Sequence, residues 1–65
     1  MDLLLALHPH TASSLNNLGG LLHAQGEYEA ARPCYERALA IFEEKLGPEH
    51  PHTKIVRDNL ESLVE

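Results

Sequence analysis

Charge is nearly missing from the first third of this 65-residue chain: from Met1 to Ala24 the only charged side chain is Asp2. Tryptophan is absent, and the single cysteine, Cys34, has no partner for an internal disulfide. A lone thiol suits a reducing compartment, so a cytoplasmic setting is expected. No run approaches the roughly 20 apolar residues that cross a bilayer. The apolar start, Leu3 to Leu7, follows no basic residue and is too short for a signal h-region with its cleavage site. Basic clusters are also missing, with 5 Lys and Arg against 10 Asp and Glu and a net charge of −5. Little is available to neutralise phosphate, which argues against nucleic acid and against an anionic membrane surface.

The marks of catalysis are equally sparse. Gly19-Gly20 lies inside a helical pattern and not after a strand, so it is no phosphate loop. Cys34 has no histidine or other general base three or four residues away to activate it. The carboxylates are scattered over polar faces. No enzyme activity and no cofactor are expected. His8, His10, His50 and His52 form two His-x-His pairs, and imidazole suits Zn, Cu or Ni. No cysteine or aspartate accompanies them at chelating spacing, and His-Pro also starts helices, so no metal site is expected.

What is present is helical periodicity. Leu15, Leu18, Leu21 and Leu22 recur at helical spacing after His8-Pro9-His10-Thr11, and proline suits a first helical turn. Gln25-Gly26-Glu27 stops this helix, with Gly26 as a C-cap at positive φ. Tyr28, Ala31, Tyr35, Ala38, Leu39, Phe42 and Leu46 then form a second apolar stripe. Pro33 interrupts it about two turns in, where a mild bend or an irregular first turn is expected. Gly47-Pro48 ends the helix, and Pro51 opens a third with Ile55, Val56, Leu60, Leu63 and Val64 as its apolar positions. The pairs Lys54–Asp58 and Arg57–Glu61 are expected along it at i,i+4. The predicted layout is a joint over 1–10, helix A over about 10–25, helix B over about 27–46, a joint over 47–50 and helix A′ over about 51–64.

A shift of 42 residues aligns His8-Pro9-His10-Thr11 with His50-Pro51-His52-Thr53, Asn17-Leu18 with Asn59-Leu60 and Leu21 with Leu63. Seven of the sixteen positions from His8 to His23 are identical, so the third helix is a second copy of the first. The predicted fold is all-α: an antiparallel hairpin plus one further helix, A-B-A′.

At this point the residues resemble a known family. Leu15, Leu18, Gly19, Leu22, Gly26, Tyr28, Ala31, Tyr35 and Ala38 fill the nine motif places of a tetratricopeptide repeat at the family's spacing. The 42-residue period and the Leu-Gly-Pro-Glu-His-Pro-His-Thr joint resemble the longer class found in kinesin light chains. The resemblance covers residues 8–65 and implies an α-solenoid unit whose A helices line a concave surface. In the second copy Arg57 replaces Leu15 and Glu61 replaces Gly19, so A′ reads as a solvated end cap. Met1 to Leu7 is either a truncated joint or a cover for the apolar face of helix A.

By resemblance, the groove-facing positions are Ser13, Asn16, Asn17, Gly20 and His23, then Ile55, Asp58, Asn59 and Ser62, with Leu15, Leu18 and Leu22 turned the other way. Asparagine amides both donate and accept, so they can grip the backbone of an extended peptide. Asp58 stands where a clamping base would be needed for a terminal carboxylate. The resemblance thus implies a non-enzymatic scaffold that binds a protein or peptide. The alternative is self-assembly as a homodimer, a stacked array or a domain-swapped pair. A domain of this size buries only about 60% of its unfolded surface, and about three repeats are normally needed for a continuous core.

Overall fold

The computed structural model of the chain describes residues 8–63. Three helices follow one another: α1 is Pro9–Ala24, α2 is Tyr28–Lys45 and α3 is Pro51–Glu61. No strand occurs among the described residues. The expected reach of Met1 to Leu7 over helix A, and of A′ as far as Val64, lies outside them.

Local chemistry explains each boundary. His8 is extended at the N-cap of α1, and its Nδ1 accepts a hydrogen bond from the His10 N–H at 3.0 Å. His50 does the same for the His52 N–H at 3.1 Å. The doubled His-Pro-His-Thr is therefore a helix-start device: an imidazole cap, then a proline where the N–H would be unpaired. At the end of α1, Gly26 takes φ 81°. The Glu27 N–H then donates to Leu22 O and the Gly26 N–H to His23 O, which completes a Schellman cap. Gly47 closes α2 in the same left-handed conformation, with φ 94°.

α2 runs through Pro33 without a break. The lost bond leaves the Glu29 carbonyl without its helical donor, and Glu29 is exposed, so water can serve instead. α3 stops three residues short of the expected end: Ser62 is its C-cap and Leu63 folds into a turn, its N–H donating to Leu60 O.

α2 is the central helix, packed by α1 on one side and α3 on the other. The core is Ala12, Ala31, Tyr35, Ala38, Ile41, Phe42, Val56 and Leu63, with Leu15, Leu22, Leu39, Leu46 and Leu60 packed against it. Gly19 lets α1 approach closely, because a Cβ there would lie 2.7 Å from the Tyr35 ring. The second helix pair is tied by Thr53, fully buried, whose hydroxyl donates to Gly47 O at 2.8 Å.

Three expectations need correction. Leu18 and Leu21 do not share the buried face with Leu15 and Leu22; they are 46% and 56% exposed. At about 100° per residue they lie about 60° and 120° round the helix from Leu15, off the α2 contact. Tyr28, placed in the buried stripe of helix B, is also half exposed, while Ile41, outside that stripe, is buried. The ion pairs are also different: Lys54 Nζ meets Glu49 at 3.6 Å, and Arg57 Nη2 meets Glu43 at 3.5 Å and donates to Pro48 O at 3.2 Å. A cation placed N-terminal to an acid at i,i+4 is the weaker orientation, and α2 and the joint offer other acceptors.

Candidate binding groove

The concave side is built from helix registers. Ser13, Asn16 and Asn17 stand on the side of α1 away from the Leu15–Leu22 stripe, with Leu21 one turn beyond Asn17. Ile55 stands at the same register of α3 as Ser13 does in α1. Between the two helices is a cavity of about 150 Å³ lined by Ser13, Asn16, Asn17, Phe42, His52 and Ile55. Phe42 belongs to α2 and forms the floor, and the His52 ring lies tilted over it with centroids 5.6 Å apart. The cavity thus has a polar wall from α1 and an apolar wall from α2 and α3.

Asn59 Nδ2 donates to Asn16 Oδ1 at 3.1 Å. This bond joins α1 to α3 across the groove and sets their separation. Asn59 is thus engaged with Asn16 and is not a free counterpart of Asn17. Ser62 turns onto its own chain, its hydroxyl donating to Asn59 O at 2.6 Å. Asp58 is exposed and does not line the cavity.

Gly20 and His23 lie toward the hairpin end, around the Tyr35 hydroxyl. The His23 Nδ1 is 3.4 Å from that oxygen, and a Cβ on Gly20 would come within 3.8 Å of it. The His23 ring also meets Tyr28 edge-on at 5.4 Å. Burial pushes the Tyr35 hydroxyl above its ordinary value of 10.0, with the neighbouring Cys34 acting in the same direction. The residues expected in one strip therefore divide: Ser13, Asn16, Asn17 and Ile55 meet at the cavity, Asn59 braces it, and Gly20 and His23 sit apart around Tyr35.

Among the described residues no three His, Cys, Asp or Glu side chains are grouped to hold a metal ion. The first histidine of each His-x-His pair spends its Nδ1 on a helix cap. No lysine or arginine lines the cavity.

A family model described as a tetratricopeptide repeat matches residues 11–52. The chain belongs to the tetratricopeptide-repeat family. Protein O-mannosyl-transferase TMTC1 of Mus musculus is 39% identical over 57 residues, which cover 88% of this chain and 5% of that protein. The Homo sapiens protein of the same name is 37% identical over 57 residues, covering 88% of this chain and 6% of its own length. The chain therefore spans only a small part of these relatives. No solved structure matches. Tetratricopeptide repeats are scaffold folds that generally mediate protein–protein interactions, and the 42-residue period fits the kinesin-light-chain-like class.

In this tetratricopeptide repeat, sequence reasoning missed Phe42 and His52 as groove residues. Phe42 was assigned wholly to the core and His52 to the joint. The signal for His52 was available: it stands three residues before Ile55 and seven before Asn59, on one helical stripe. No comparable signal marked Phe42, because a core ring and a groove floor have the same periodicity.

Proposed function

We infer that this repeat binds an extended peptide segment of a partner protein across the groove between α1 and α3. The observation that carries the reading is the cavity itself, where Ser13, Asn16 and Asn17 face Phe42, His52 and Ile55. An extended peptide needs hydrogen-bonding groups for its backbone and an apolar recess for alternate side chains. The amide and hydroxyl wall supplies the first, and Phe42 with Ile55 supplies the second. Asn17 is the groove amide given the backbone contact, since Asn16 and Asn59 are joined to each other. Without a lysine or arginine in the cavity, the reading favours an internal stretch over a free C-terminal carboxylate. It adds a cytoplasmic, reducing setting on the support of the lone Cys34.

The test is selection of peptides from a random library against the folded chain, followed by amide chemical-shift mapping. Shifts centred on Ser13, Asn17 and Ile55 are expected. Asn17→Ala should weaken a selected peptide about 5-fold to 10-fold, the worth of one hydrogen bond. Peptides that shift Leu18 and Leu21 instead, or that ignore Asn17→Ala and Ile55→Lys alike, would remove the groove from the reading.

A further inference from the structure

Charge is placed unevenly around the groove. α1 brings none, with no Asp, Glu, Lys or Arg from Pro9 to Ala24. α3 carries Lys54, Arg57, Asp58 and Glu61, and they divide by face. At about 100° per residue, Lys54, Arg57 and Glu61 stand about 100° to 160° round the helix from Ile55, on the side turned from Asn59 and α1. Asp58 stands only about 60° from Ile55 and one turn along, at the rim of the cavity that Ile55 lines. Both cations of α3 are drawn to other acids: Lys54 Nζ lies 3.6 Å from Glu49, and Arg57 Nη2 lies 3.5 Å from Glu43. Lys54 is at i,i+4 from Asp58, but a cation placed before its acid is the weaker orientation. Asp58 is exposed and has no ion pair among the described residues. A peptide in the groove thus meets one uncompensated carboxylate.

We propose that Asp58 makes the groove select a peptide with a lysine or arginine two residues from the apolar side chain that fills the cavity. The inference rests on the groove reading above and names the class of peptide it takes. The spacing follows from two regular geometries. Residues three apart on a helix have Cβ atoms about 5–6 Å apart, so Asp58 is that far from Ile55. Alternate side chains of an extended peptide share one face about 6.6 Å apart. A peptide crossing from α1 to α3 with an apolar side chain against Phe42 and Ile55 therefore brings its next side chain on that face to Asp58. Ile55 is 52% exposed, so the apolar stem of a lysine or arginine can lie along it while the charged head meets the carboxylate. An acidic side chain at the same place meets like charge, and no lysine or arginine of the cavity offsets it. A charge at the rim acts on approach and on choice among peptides more than on total affinity.

The experiment takes peptides selected from a random library on the full chain and remakes each in three forms, with Lys, Ala or Glu two residues from the apolar anchor. Binding is measured at low and at high salt. At low salt the Lys form should bind about 3-fold tighter than the Ala form and the Glu form about 3-fold weaker, with both differences lost at high salt. Asp58→Lys should reverse this order, while Asn17→Ala should weaken all three forms alike. Helicity is measured for each variant, and should Asp58→Lys lose it, Asp58→Asn decides instead by bringing the Lys and Ala forms together. An order that the Asp58 variant leaves unchanged, or selected peptides with no enrichment of Lys or Arg at that place, would overturn the inference and leave the groove reading standing. Peptides that follow Asp58 but ignore Asn17→Ala and shift neither Ser13 nor Ile55 would overturn the groove reading, and with it the anchor that the inference needs. A library that yields no binder would overturn both.

Discussion

Leu21 and Leu63 are the same residue in the same register, yet Leu21 is 56% exposed and Leu63 only 7%. The difference is one of neighbours. α1 sits on α2 through Ala12, Leu15, Gly19 and Leu22, whereas the second copy sits on α2 through Thr53, Val56, Leu60 and Leu63. Those two stripes are different registers of one repeated helix. The stripe that α1 uses against α2 is occupied in α3 by Lys54, Arg57 and Glu61. Lys54 and Arg57 find Glu49, Glu43 and the joint, and Glu61 is exposed. The first copy is thus apolar on two faces and the second on one.

Substitutions at paired registers break or sharpen this contrast. The largest effect belongs to Gly19→Val, which drives a side chain into the Tyr35 ring and should cost about 3 kcal/mol. Glu61→Val, its register partner, should leave the thermal melt within about 0.5 kcal/mol, since Glu61 is exposed. Leu63→Ala should cost about 2 kcal/mol by denaturant titration, and Leu21→Ala in the monomer under about 0.5. Equal losses at Leu21 and Leu63 would mean that both leucines are covered and would undo the contrast. Thr53→Val keeps the shape but removes the donor to Gly47 O, and should cost about 1 to 2 kcal/mol in the same titration.

The smallest effect is on the pH profile. The folded Tyr35 hydroxyl holds its proton above the ordinary tyrosine value of 10.0. As pH rises past that value, the unfolded chain loses this proton first and so binds fewer protons than the folded chain. Stability is therefore complete below that pH and falls as pH climbs toward the folded value. Melting curves should show this decline, and Tyr35→Phe should remove the part of it that Tyr35 causes.

Much of the fold was legible because repeat register and helix punctuation are local. Two prolines, two glycines at positive φ and the doubled His-Pro-His-Thr mark the helix ends. The close approach at Gly19 could be read from the cost of a glycine inside a helix. What was not legible depends on which neighbour fills which face. Leu15, Leu18, Leu21 and Leu22 look alike as a periodic set, and only the position of α2 divides them into packed and half-exposed. The groove was half legible for the same reason. Asn17 and Asn59 share a register, but the bond that forms is between Asn59 and Asn16, because two offset helices bring unlike registers together. Phe42 serves both the core and the concave side, a double duty that no spacing rule reveals.

One measurement bears on the contrast most directly. Leucine methyl relaxation by a soluble paramagnetic chelate, recorded on the monomer at low concentration, reads solvent access residue by residue. Strong relaxation at Leu18 and Leu21 with protection at Leu63 and Leu22 is expected, and equal protection of Leu21 and Leu63 would contradict the division of faces.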